Sequence, residues 1–207
     1  MGTRNLTLVV LNKEIKVAQY GQWDGYLSGQ GKTIAQFLAH VDLPRFKQAV
    51  SECRFVTDKE IKQTEKKVGI LGGFMTLEQS EKFHEIFPSL NRDHGAGILE
   101  MIDRQGVRDL QDRQSFATDS LFCEWGYLLD LDKKVVEVYR GFQTQPVSET
   151  ERFAKPADTK QRTKRWLRGE TQYHAIKCWK KIPFKQFTMA KIKELKKILD
   201  KEGENEE

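Results

Sequence analysis

Apolar residues dominate Asn5-Leu-Thr-Leu-Val-Val-Leu-Asn12 and return over Glu14-Ile-Lys-Val-Ala-Gln-Tyr20, with Asn12-Lys-Glu14 able to supply a turn. The pattern predicts an opening hairpin. On its second strand Ile15, Val17 and Gln19 share one face, and Lys16, Ala18 and Tyr20 the other. After a glycine-rich stretch, Gly21–Gly31, the spacing becomes helical. Thr33–His40 is short and amphipathic, and Pro44 suits the first turn of a helix over Leu43–Cys53. Thr57 can cap a polar helix, Asp58–Val68, and Thr76-Leu-Glu-Gln79 forms a capping box that Pro88 closes. Asp93 is placed to cap a helix over Gly95–Gln105 with Ile98, Leu99 and Ile102 inward. A second hairpin runs from Leu121–Asp130 through a turn at Leu131–Lys133 to Lys134–Arg140. Tyr173–Trp179 reads as a further strand, and Thr188 caps a last helix through Leu199. Two hairpins with a helical block between them predict an α+β fold with a mostly antiparallel sheet. The expected organisation is one domain over residues 1–201, with 141–170 as an exposed basic excursion and 202–207 as a disordered acidic tail.

Composition narrows the classes. No apolar run approaches the ~18 residues of a membrane span, and no cationic start precedes an apolar block, so a cytoplasmic protein is expected. Met1-Gly2 fails as a myristoylation signal because position 6 is Leu6. Cys53, Cys123 and Cys178 are far apart, and His40, His84, His94 and His174 are equally scattered, so neither a disulfide framework nor a metal site is expected, and no cofactor is implied. The net charge of +5 hides an asymmetry: Arg152–Lys201 carries 16 Lys/Arg against 4 Asp/Glu, leaving −7 on the rest. A basic C-terminal quarter on an acidic body points to an anionic partner, although a solvated basic face is the commoner outcome.

The richest stretch chemically is Val17–Gly31. Gly29-Gln-Gly-Lys-Thr33 lies after a strand and before a helix, the context of a phosphate-binding loop, but the spacing fails. Four residues should separate the first glycine from Gly-Lys-Thr; that position holds Tyr26, and Gly25 leaves five. A looser anion site at the helix start remains, against the plainer reading of turn glycines. Tyr20, Gln22, Trp23, Asp24, Tyr26 and Gln30 offer flat faces for stacking and amides for reading a donor–acceptor edge. The same groups could instead satisfy one another in a packed loop. Lys160, Arg162, Lys164, Arg165 and Arg168 beside Trp166 form a weaker nucleic-acid signal. Nucleophilic catalysis has little support: removal of Met1 exposes Gly2, which is not a nucleophile, and nothing in the sequence pairs Cys53 or Cys123 with a histidine.

Gly2-Thr-Arg-Asn-Leu-Thr7 with Val17-Ala-Gln-Tyr-Gly-Gln-Trp-Asp-Gly-Tyr26 and Gly29-Gln-Gly31 resembles a largely uncharacterised family of proteins of phages, bacteria and fungi. Cys123-Glu-Trp-Gly-Tyr127, Glu137–Phe142 and Tyr173–Phe187 are similar to its later blocks, and the likeness covers about half the chain. It implies a shared fold and attaches no reaction. Leu27 departs from the family's proline, which implies a less rigid loop. Some members look phage-borne, which implies by analogy a counter-defence protein working in the host cytoplasm. The leading expectation is a non-enzymatic protein that sequesters a small anionic, nucleotide-derived ligand through Arg4, Gln19, Tyr20, Gln22, Trp23, Asp24, Tyr26, Gln30 and Glu124. Two alternatives stay open: a hydrolase with Asp24 or Glu124 as acid or base, and a nucleic-acid or protein interaction module using the basic C-terminal region.

Overall fold

The computed structural model describes residues 2–70, 75–154 and 171–204. The first hairpin pairs β1 (Asn5–Leu11) with β2 (Glu14–Gly21). Asn12 and Lys13 turn it with φ of 54° and 65°, the left-handed pair that suits a two-residue loop between twisted strands. Lys16 is left over where the register moves from Val9↔Val17 to Val10↔Ile15, a bulge. The short strands β3 (Arg54–Phe55) and β4 (Asp109–Leu110) pair with each other. The second hairpin, β5 (Trp125–Asp130) and β6 (Val135–Arg140), continues to β7 (Lys177–Pro183).

The five long strands form one sheet in the order β2-β1-β5-β6-β7. All neighbours are antiparallel except β1 and β5, which run parallel from Asn5↔Trp125 to Val10↔Asp130. The fold is α+β, as the pattern predicts, and the parallel seam between the two hairpins is what the pattern did not contain.

Between the hairpins lie α1 (Lys32–His40), α2 (Leu43–Ser51), α3 (Asp58–Lys67), α4 (Leu77–Ile86) and α5 (Ile98–Arg104); α6 (Met189–Glu204) ends the described chain. The expected capping box is present at Thr76/Gln79, and the expected Thr57 cap proves to be a second box, closed by Glu60. The main core joins one sheet face (Val9, Val17, Leu129, Val138) to α1, α2, α5 and α6. The opposite face carries Leu6, Leu8, Val10 and Leu128 and is covered by irregular chain that includes Ala117, Phe153 and Ile176. A third, smaller core of Val56, Ile70, Phe83 and Phe87 belongs to the α3–α4 region.

Several boundaries move: the second hairpin's first strand, expected from Leu121, begins at Trp125, and the last helix runs past Leu199 to Glu204, into the tail expected to be disordered. The strand expected at Tyr173–Trp179 begins at Lys177, because the preceding backbone finds its partners in loops: His174 N–H donates to Gln143 O (2.9 Å) and Ile176 N–H to Ala117 O (2.9 Å). Asp93 does not cap α5. A 3-10 turn, Gly95–Gly97, precedes that helix, and the Asp93 carboxylate instead accepts from the Trp23 indole at 2.8 Å.

Asp132 ties the hairpins together by accepting from Asn12 N–H (3.0 Å) and Lys13 N–H (2.8 Å), and these bonds hold its carboxyl below the usual range. A depressed carboxyl contributes stability above its unfolded pKa that is lost as pH falls through its folded value. Asp132→Ala should therefore lower the melting temperature at pH 7, with the difference from wild type closing in acid. Melting curves from pH 2 to 7 check this.

Candidate functional site

The Gly21–Gly31 loop is held by bonds within itself and by bonds to Thr3, Asn5, Arg92, Asp93, Ala96 and Tyr127 around it. The Asn5 side-chain amide donates to Gly21 O (3.2 Å) and Trp23 O (3.0 Å). Asp24 adopts φ 53°, and its carbonyl accepts from Gln30 N–H at 2.8 Å. Tyr26 O takes the N–H groups of Gly29 (3.0 Å) and Gly31 (3.3 Å). The Gln30 side chain donates to Trp23 O (3.0 Å) and accepts from Ala96 N–H (2.7 Å), while the buried Tyr127 hydroxyl donates to Gly25 O (2.8 Å). The N–H groups of residues 29–31 are thus already engaged by carbonyls. The looser anion cradle considered at this helix start does not fit, and close packing, nearer the plainer reading of turn glycines, is what the glycines provide.

The sequence-selected side chains divide into three groups. Gln19, Tyr20 and Gln22 line one cleft. Gln19 is buried and donates to Tyr20 O and Asn91 O, and the Tyr20 hydroxyl donates to the Gln22 side-chain carbonyl. Trp23, Asp24 and Tyr26 are exposed and line no part of that cleft; Gln30 is taken up in the loop. Arg4 and Glu124 pair with each other: Glu124 accepts Arg4 N–H at 3.1 Å and faces its guanidinium at 3.5 Å, with Phe122 beneath. They do not line the cleft either. Lys160, Arg162, Lys164, Arg165 and Arg168 lie outside the described residues.

The cleft exists because α3 and α4 pack round their own core and meet the sheet at its β2 edge, leaving a space of about 840 Å³. That suits a small organic ligand. One wall is α4, whose Leu77, Ser80, Glu81 and His84 follow the i, i+3, i+4, i+7 spacing of a single helix face. Ser80 Oγ and His84 Nδ1 lie 3.3 Å apart. The other wall carries Gln19, Tyr20 and Gln22, and the ends carry Asn91, Arg92, Asp93, Gln111 and Arg113. Burial pushes the Tyr20 phenol up, while the charges of Arg4, Arg92 and Arg113 pull it back. Among the described residues neither Arg92 nor Arg113 has a carboxylate within ion-pair distance, and both are exposed. Met75 and Leu77 stand at the rim, Leu77 at 79% exposure, an apolar lip beside a polar interior.

Two unpaired guanidiniums, a phenol, four side-chain amides and an apolar lip are the groups that recognise an anion attached to a flat or apolar body. Arg92, Arg113 and the α4 face were missed in the sequence, where only the polar run Asn91-Arg-Asp93 hinted at them. Among the described residues no group of His, Cys, Asp or Glu side chains is arranged to hold a metal ion, and no helix is long and apolar enough to cross a membrane. The chain matches no family model, and neither a curated protein nor a solved structure shows significant similarity to it.

Proposed function

We propose that this protein binds a small anionic, nucleotide-derived molecule in the cleft between β2 and α4 and holds it intact. The observation that carries the reading is that Arg92 and Arg113, neither with a carboxylate in ion-pair distance among the described residues, share one space of nucleotide size with the amides of Gln19, Gln22, Asn91 and Gln111, a space that Glu81 and Asp93 also line. The guanidiniums meet phosphate, the amides discriminate a base edge, and Met75 and Leu77 cover its apolar face. Sequestration in the cytoplasm, as a phage counter-defence protein would require, is the role we attach to it on the resemblance of the Gly2–Gly31 block. The hydrolase reading is weakened because neither Asp24 nor Glu124 lines the cleft.

Thermal unfolding against nucleotides, cyclic dinucleotides and ADP-ribose derivatives tests the proposal. A ligand at a hundred times its Kd should add about 2.7 kcal/mol of stability. The Arg92→Ala/Arg113→Ala variant should lose the shift while keeping its own melting temperature, since both side chains are exposed. Ligand recovered intact supports sequestration. Recovery as products makes the protein an enzyme, and no shift across the panel overturns the nucleotide reading.

A further inference from the structure

The last strand and last helix run side by side. β7 pairs Lys177 with Arg140, and the Arg140 guanidinium binds Glu202 at 3.1 Å, so the end of α6 lies beside the start of β7. Their other ends are joined by the short Phe184–Gln186 turn. Seven strand residues and about four helical turns each span about 20 Å, so the two elements border the molecule together. From Lys177 to Glu204 this border holds nine lysines, no arginine and four acids, Glu194, Asp200, Glu202 and Glu204, of which Glu202 is taken up by Arg140. Lys181 is paired with Glu137 and Lys191 with Glu194. Lys177, Lys180, Lys185, Lys193, Lys196 and Lys197 have no carboxylate within ion-pair distance among the described residues.

Edge-strand lysines commonly block sheet-to-sheet pairing, which accounts for those on β7. It does not account for α6. Lys193, Lys196 and Lys197 are exposed at i, i+3 and i+4 on one flank, where like charges repel and alternating signs would stabilise the helix better. A concentration of unpaired cations over about 20 Å matches about six base pairs of duplex, which carries a charge every ~1.7 Å of axis. Lysines make point contacts to phosphate and do not provide the bidentate fork that reads guanine. Stacking platforms for single strands are missing from this border: Trp179 is half-buried against the main core, and the exposed Trp23, Tyr26, Phe122 and Phe142 belong to other segments.

We propose that the β7–α6 border is a contact surface for the phosphate backbone of double-stranded nucleic acid, without sequence preference. It is independent of the β2–α4 cleft and uses residues other than Lys160–Arg168.

Fluorescence anisotropy of the full chain with two 20-base-pair duplexes of unrelated sequence tests it. Six phosphate contacts predict equal affinity for both duplexes and a loss of about 10³-fold between 50 and 200 mM salt, a log–log slope near −5. The variant Lys177→Gln/Lys193→Gln/Lys196→Gln/Lys197→Gln should bind more weakly, with a slope shallower by about 3 to 4. Removing Lys59, Lys62 and Lys66 from exposed positions on α3 should change the slope little. An unchanged slope in the β7–α6 variant overturns the proposal and moves the contact elsewhere. Failure to bind duplex, or binding only to single strands or anionic vesicles, also overturns it.

Discussion

Arg152→Ala is expected to destabilise the protein by about 2–3 kcal/mol at pH 7, read as a fall in the urea midpoint with an unchanged m-value. Two carboxylates, Asp130 and Glu137, are almost fully buried on the second face of the sheet, at 3% and 4% side-chain exposure. Arg152 reaches both, at 3.5 Å to Asp130 and 3.3 Å to Glu137. Tyr139 donates its hydroxyl to Glu137, and the Asp130 carboxylate also accepts Asp132 and Lys133 N–H in the β5–β6 turn. Removing one member of a buried pair strands the remaining charge, at about 3–5 kcal/mol when the site is closed. The expected loss is smaller here because Arg152 keeps 27% exposure and Lys181 stands 3.5 Å from Glu137.

The pH dependence gives that prediction a sign. Burial alone raises the Glu137 carboxyl, but the Tyr139 hydroxyl, Arg152 and Lys181 outweigh it and hold it below its ordinary value. In the wild type this contribution is therefore present above the unfolded pKa and is lost as pH falls through the lower folded one. Without Arg152, burial should prevail and raise the folded pKa above the unfolded one. The sign then reverses, and stability falls as pH rises through that raised value. The gap between wild type and variant should widen from about pH 4.5 to 7. A gap that stays constant over this range would mean that Arg152 contributes packing and no charge compensation.

The same cluster marks the limit of what could be read in the chain. Both hairpins, the Thr57 cap, the Thr76/Gln79 capping box and the last helix were legible, because each rests on residues close in sequence: Asn12-Lys13 at the turn, Thr57 ahead of Asp58, Thr76 with Gln79. The parallel seam Asn5–Val10 against Trp125–Asp130 was not, since 120 residues separate its strands and either hairpin pattern is satisfied without it. The cleft was half legible. Gln19, Tyr20 and Gln22 stand out by composition, but Arg92 and Arg113 reach them only because the α3–α4 core docks at the β2 edge. Trp23 and Gln30 stand out equally, yet both are engaged locally, by Asp93 and by Ala96 with Trp23 O. Residue type distinguishes groups able to recognise a ligand from inert ones. It does not distinguish groups already satisfied within the fold from those left open.

Gly29→Ala is the change that separates those two uses, and it is expected to destabilise by about 2–3 kcal/mol. A Cβ at Gly29 would collide with Asp24 O and lie 2.8 Å from Asp24 Cβ. The nearest obstruction is backbone, so no side-chain rotation relieves it. To make room the loop must open, which breaks the Gln30 N–H bond to Asp24 O and loosens the Gln30 ties to Trp23 O and Ala96 N–H. Gly97→Ala is the matched control. Its φ of −59° is helical and nothing lies within 4 Å of an added Cβ, so the reduced entropy of the unfolded chain should stabilise by about 0.5 kcal/mol. Urea unfolding of both variants reads the contrast directly. If Gly29→Ala were as stable as wild type but failed to bind an anion, the glycine would be keeping space for a ligand, and the packed loop would be the wrong account of Gly21–Gly31. If it unfolds early, as its contact with Asp24 demands, the glycines of this block serve the fold, and recognition falls to the side chains that β2 presents to the cleft.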